Sequence, residues 1–155
     1  MSDEARNVEI LKAAYQRWSE TKGGSVDDWM KICADDIAFG SLAQGAAPPI
    51  QYLTGYSSRD MLKEYFAGLA RDWEMIESVT DHFVAQGDRV VVLGRCAWRF
   101  KKTGNVVSTP KCDTWRLADG KAVEFFEYYD TAQVMAAAVP GVASALAASV
   151  AAVHA

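Results

Sequence analysis

Apolar positions recur at helical spacing up to about residue 70 and then alternate with polar ones. Val8, Leu11, Tyr15 and Trp18 fall on one face of an amphipathic first helix that ends near Gly23-Gly24. Ser25-Val26-Asp27-Asp28 is a capping-box-like start for a short second helix carrying Trp29 and Ile32. Ile37 to Leu42 reads as a short strand. Residues 43–56, with glycines, alanines and Pro48-Pro49, predict a long loop, and loops of that length are often functional lids or rims. Ser57-Ser58 then opens a third helix with Met61, Leu62, Tyr65, Phe66 and Leu69 on its buried face.

The second half reads as sheet. Strands are expected over 73–85, 89–102, 106–117 and 121–130, with turns at Gln86-Gly87-Asp88, Thr103-Gly104-Asn105 and Ala118-Asp119-Gly120. In the second of these, Arg95, Arg99 and Lys101 share one face, while Val92, Gly94, Cys96, Trp98 and Phe100 share the other. One wet face and one apolar face imply a sheet covered by helices on one side. Thr131 to Ala138 forms a short helix capped by Asp130 and stopped by Pro140-Gly141. The expected architecture is α+β: a curved antiparallel sheet with N-terminal helices, forming a cone around a pocket. Residues 1–138 make one domain. Residues 139–155 form an alanine-rich tail, where Val142, Leu146, Val150 and Val153 give a weak stripe suited to a frayed helix, a pocket closure or a subunit contact.

The last hairpin carries the chemistry. Lys111, Asp113 and Trp115 share one face of its first strand, and Phe125, Glu127 and Tyr129 share one face of its second. With Gly120 as third loop residue, Leu117 pairs with Lys121 and the two sets lie on the same side. Three aromatic rings among Lys, Asp and Glu make a poor core and a poor solvent surface, but a plausible pocket wall. Glu127 falls opposite Lys111 or Asp113, depending on register. Two carboxylates in one apolar site push one pKa up while a lysine pulls the nearer one down, which separates an acid from a base. Burial among rings raises Asp113, and close contact with Lys111 is expected to reverse that shift.

Composition removes several classes of function. The net charge of −4 offers no clustered basic surface for nucleic acid. Cys33, Cys96 and Cys112 are odd in number and widely spaced, with no disulfide framework and no zinc motif. No metal or other cofactor is expected. The polar N-terminus shows no secretory signal, and the tail is too short and too weakly apolar to span a bilayer, so no membrane partner and a cytoplasmic location are expected. His82 follows Asp81, but strand neighbours point to opposite faces, so no dyad is expected.

Several segments carry a family resemblance: Ala34-Asp35-Asp36 before the first strand, Gly87-Asp88-Arg89-Val90-Val91-Val92, Trp115-Arg116-Leu117-Ala118-Asp119-Gly120-Lys121, and Tyr128-Tyr129-Asp130-Thr131. With the element order they resemble the nuclear transport factor two-like (cystatin-like) fold over residues 7–135, in the branch of SnoaL-like polyketide cyclases and ketosteroid isomerases. The resemblance implies that Asp113, before Thr114-Trp115-Arg116-Leu117, stands at the position of the isomerases' oxyanion aspartate, with Tyr15 as the second donor. The isomerase base position falls on Ser41, which cannot act as a carboxylate base, and a supporting tyrosine position falls on Cys33. Glu127 stands where the limonene epoxide hydrolases of this fold carry an aspartate, but Cys96 and Trp98 replace the arginine and aspartate those enzymes also need. The expected catalytic residues are Asp113, Tyr15 and Glu127. The expected ligand-lining residues are Trp18, Phe39, Ser41, Trp98, Lys111, Trp115, Phe125 and Tyr129.

The implied activity is cofactor-independent acid–base chemistry, as isomerase, cyclase or dehydratase, on a small apolar carbonyl or polycyclic molecule. The alternative is a non-catalytic ligand-binding or dimerisation domain. Thr114, Phe126 and Tyr128 on the outer sheet face suggest a homodimer.

Overall fold

Ser2 starts the first helix, its hydroxyl accepting a hydrogen bond from the Ala5 amide at 3.2 Å. The computed structural model describes residues 2–46 and 48–141; the stripe from Val142 onward lies outside the described residues. Helix α1 spans Asp3–Glu20 and buries Asn7, Leu11, Ala14, Tyr15 and Trp18. Helix α2, Val26–Ile32, buries Trp29. Ser25 does not cap it. Its backbone is outside the extended region a cap needs, and its hydroxyl is buried without a partner among the described residues.

Strand β1, Cys33–Ser41, begins directly after α2, four residues before the alternation first shows. The described residues from 42 to 61 form no helix or strand of their own, yet Ala43, Ile50, Tyr52, Leu53 and Tyr56 are buried. Tyr56 and Phe39 exchange backbone hydrogen bonds at 2.8 and 2.9 Å. Of the two roles such a loop can take, this segment fits a packed rim. Helix α3 spans Leu62–Asp72. Leu62, Tyr65, Phe66 and Leu69 complete its buried stripe at i, i+3, i+4 and i+7. Met61 lies one residue before it and is 47 % exposed, against the expectation that it packs inward.

Strands β2 (Trp73–Gln86), β3 (Arg89–Phe100), β4 (Val106–Ala118) and β5 (Lys121–Tyr129) follow, and α4 spans Thr131–Ala138. The sheet order is β1-β5-β4-β3-β2. Four strands run antiparallel, and β1 joins the edge in parallel with β5, pairing Phe39 with Phe125 and Ser41 with Glu127. The sheet is curved and unclosed, and the helices fill its concave side, as the α+β reading requires. Two bulges interrupt the β2–β3 ladder, where the register shifts between Met75 and Glu77 and between Thr80 and His82. At the second shift the backbones approach so closely that a Cβ on Gly94 would lie 2.0 Å from the Val79 carbonyl oxygen.

The final hairpin corrects the expected register. Asp119 and Gly120, with φ of 50° and 76°, form a two-residue turn, so Ala118 pairs with Lys121 and Leu117 with Ala122. A one-residue change should turn β5 over relative to β4. The shift between Arg116 and Leu117 leaves Val123 unpaired and supplies a second single-residue step. The two steps restore the face. Beyond the bulge Trp115 pairs with Phe125, Asp113 with Glu127, and Lys111 with Tyr129.

Asp130 caps α4, accepting from the Gln133 amide at 3.1 Å. His82 is exposed, and Asp81 pairs with Arg95 at 3.3 Å. The three cysteines are free thiols.

Candidate active site

Alternation along β4 turns Lys111, Asp113 and Trp115 into the cone, and alternation along β5 turns Phe125, Glu127 and Tyr129 to meet them. The Lys111 ammonium lies 3.0 Å from Asp113 Oδ2 and 3.0 Å from Glu127 Oε1. Register thus places Glu127 opposite Asp113 and diagonal to Lys111, with the cation between the two carboxylates. Asp113 is 1 % exposed.

Helix α1 supplies the other side. The Tyr15 hydroxyl donates to Asp113 Oδ2 and accepts from Trp115 Nε1 at 2.8 Å. Trp115 also stacks on Trp29, with ring centroids 5.4 Å apart. The hydroxyl of Tyr15 is therefore committed to Asp113 and held by an indole. Asp113 Oδ1 is buried and unpartnered among the described residues.

Burial dominates the electrostatics here. It pushes the Asp113 carboxyl up to about 6; Lys111 pulls it down and Glu127 adds to the rise. Contact with Lys111 was expected to reverse the shift. The contact is present, but desolvation of a carboxylate with one free, dry oxygen outweighs it. Lys111 is held well above its ordinary range, since burial works against its charge and the two carboxylates more than offset that. Burial raises Tyr15 as well, reinforced by Asp113. The Cys96 thiol is pushed up to about 11, chiefly by burial, so it is not a thiolate at neutral pH.

Two adjoining chambers meet at this cluster. The larger, about 80 Å³, is lined by aromatic side chains Trp18, Tyr65, Trp73, Trp98 and Tyr129, together with Cys96, Lys111 and Glu127. The smaller, about 40 Å³, is lined by Tyr15, Trp29, Phe39, Asp113, Trp115 and Phe125. Trp18, Tyr65, Lys111 and Glu127 line both and form the neck between them. Phe39 packs on Phe125 at 4.4 Å. Ser41 stands at the edge: its hydroxyl faces the Leu53 carbonyl at 3.3 Å, accepts from the Ala43 amide at 3.1 Å, and lies 3.4 Å from the Tyr129 hydroxyl. All eleven side chains singled out in the sequence lie in or beside this one cavity. Tyr65 was missed; its helical spacing marks a buried face, and only the hydroxyl at its tip signals a polar neighbour. Among the described residues, no three His, Cys, Asp or Glu side chains converge as a metal site, and no helix is long and apolar enough to cross a membrane.

The family model described as SnoaL-like domain matches residues 11–125. The chain belongs to the SnoaL-like domain family. The fold of this SnoaL-like domain recurs in solved structures. An NTF2-like protein of unknown function from Burkholderia pseudomallei superimposes with a TM-score of 0.73 at 18% identity, covering 90% of this chain and 99% of that one. A putative SnoaL-like polyketide cyclase from Jannaschia gives 0.69 at 21% identity, covering 89% and 95%. TerC, co-crystallised with polyporic acid, gives 0.69 at 18% identity, covering 85% and 97%. Comparison with curated protein sequences finds no match. At these identities the likeness establishes the fold, and the chemistry of this SnoaL-like domain rests on its own cavity.

Proposed function

We propose that this SnoaL-like domain binds a small apolar carbonyl compound and moves a proton at the carbon next to its carbonyl, without a cofactor. The observation that carries this reading is the placement of Glu127 beside the Lys111 ammonium, 3.0 Å away, at the neck of an aromatic cavity. Glu127 Oε1 is engaged by Lys111, and Oε2 makes no hydrogen bond or ion pair among the described residues. That oxygen is the candidate base. It takes a proton from the α-carbon, the C–H electron pair moves into the carbonyl, and the negative charge develops on the carbonyl oxygen. The Lys111 cation beside it stabilises that charge in a water-poor site. Return of the proton from Glu127 to a different carbon completes an isomerisation; replacement of that proton by one from solvent, followed by reprotonation of the same carbon, gives exchange.

Asp113 has a positioning role in this scheme. Its Oδ2 is shared by Tyr15 and Lys111, so it fixes the ammonium next to Glu127. The cavity volume of about 80 Å³ favours a small carbonyl compound over a polycyclic one, being below the roughly 150 Å³ of an apolar cavity that admits benzene. Two copies of the chain are proposed to pair through the outer face of the sheet, where Phe126 packs at a tilt against Tyr128, ring centroids 4.9 Å apart, and where Leu42, Leu93 and Tyr128 are exposed.

The test is hydrogen–deuterium exchange at the α-carbons of small ketones in D2O, followed by NMR. Wild-type protein should accelerate exchange, and Glu127→Gln should lose about 10²–10⁴-fold of it. Ketone binding with no exchange would favour a ligand-binding domain instead.

A further inference from the structure

Tyr65 has a hydroxyl with nothing to do in the packed fold. Helix α3 carries its ring into the core against Phe39 at 4.9 Å, Phe66 at 5.2 Å and Tyr56 at 6.3 Å. The ring accounts for the packing. The hydroxyl makes no hydrogen bond among the described residues, and it is not one of the fully enclosed orphan atoms. A buried tyrosine usually finds a partner for its O–H. Tyr65 lines both chambers together with Lys111 and Glu127. The charges that act on it after burial itself are those of Glu127 and Lys111, with Tyr129 and Asp113 behind them.

Lys111 has a matching vacancy in its hydrogen bonding. An ammonium has three N–H donors. Its ion pairs with Asp113 and Glu127, each at 3.0 Å, can occupy two of them, and no third acceptor pairs with it among the described residues. Three polar functions without a partner among the described residues thus belong to side chains that line the neck: the third Lys111 N–H, the Tyr65 O–H and Glu127 Oε2. Two are donors and one is an acceptor.

Building on the proton-transfer reading above, we propose that Tyr65 is a catalytic residue of this site: its hydroxyl and the free Lys111 N–H together bind the carbonyl oxygen of the substrate at the neck. Tyr15, committed to Asp113, does not serve that purpose. Two donors on one oxygen select an aldehyde or ketone whose oxygen is open on both sides. Glu127 Oε2 then faces the adjacent carbon, and the remainder of the molecule enters the aromatic chamber. As the proton leaves that carbon for Glu127, negative charge grows on an oxygen already held by a cation and a hydroxyl. The hydroxyl keeps its proton, which suits a phenol whose ionisation is strongly disfavoured by burial.

The experiment compares wild type, Tyr65→Phe and Glu127→Gln in three measurements: exchange of acetone α-protons in D2O by NMR, affinity for acetohydroxamate as a small planar oxyanion, and thermal stability. Tyr65→Phe should lower exchange by about 10²–10³-fold, the usual effect of removing one oxyanion donor. It should weaken acetohydroxamate binding at least about tenfold and leave thermal stability equal or higher. Exchange and affinity at wild-type level in Tyr65→Phe, with exchange lost in Glu127→Gln, would overturn the role of Tyr65 and leave the proton-transfer reading standing. Undiminished affinity for acetohydroxamate in Tyr65→Phe overturns it even where acetone is not turned over. Wild-type protein that neither exchanges acetone nor binds acetohydroxamate overturns both.

Discussion

Lys111 and Asp113 stand two residues apart on one strand, and their side chains meet at 3.0 Å inside the cone. The same ammonium reaches Glu127 on the neighbouring strand. Removing the cation leaves two carboxylates facing each other in an apolar site. Lys111→Met should therefore cost about 3–5 kcal/mol at pH 8, the usual effect of stranding a buried charge. The loss should be smaller at pH 5, where Asp113 takes up a proton. Thermal denaturation of both proteins at the two pH values checks this, and an equal loss at both would contradict it.

Asp113 sets a pH dependence of its own. Its carboxyl is raised to about 6 in the folded chain and returns to the ordinary range of about 4 when unfolded. The folded state thus holds the proton more tightly. Its contribution is greatest below about pH 4, falls as pH rises through 6, and is level above that. Across that window the wild type should lose on the order of 3 kcal/mol relative to Asp113→Asn, which has no proton to release. Urea unfolding at pH 4 and pH 7 measures the difference, and a constant gap between the two proteins would refute the raised carboxyl.

Gly68 tests the packed rim. On α3 it faces the Tyr52 ring, and an added Cβ would lie 2.4 Å from ring carbons. Tyr52 cannot easily retreat, because Trp73 Nε1 donates to its hydroxyl at 3.0 Å. Gly68→Ala should destabilise by about 1–3 kcal/mol through overpacking, although alanine is the better helix former by about 1 kcal/mol. A lower urea midpoint is expected, and a higher one would show that the segment from 42 to 61 yields freely.

The outer face tests assembly. Phe126→Glu places a charge beside Tyr128 without touching the cavity. Light scattering should report a dimer for the wild type and a monomer for the variant, with acetohydroxamate affinity preserved. A wild-type monomer at micromolar concentration would dispose of the proposed pairing.

How far the sequence could be read follows from what each pattern encodes. Leu11, Tyr15 and Trp18 were legible because helical spacing needs only local order. The shared face of Asp113 and Glu127 was legible because alternation fixes sidedness. Their direct pairing was not, since alternation is indifferent to a shift of two residues, and the turn at Asp119-Gly120 and the unpaired Val123 each moved the register by one. The parallel union of β1 with β5 was hidden for a related reason: strand partners distant in sequence leave no trace in either strand alone. Met61 was misplaced because an apolar residue one step before a helical stripe looks like part of it. Tyr65 was read as core, correctly for its ring and incompletely for its oxygen.

The stack of Trp29 on Trp115 has an optical consequence. The two indoles are 5.4 Å apart and within 3° of parallel, close enough for their ultraviolet transitions to couple. One of them ends on the Tyr15 hydroxyl, which ends on Asp113. The protonation of a carboxyl sealed from solvent is thereby wired to a chromophore pair, and near-ultraviolet circular dichroism can follow it in the unlabelled protein.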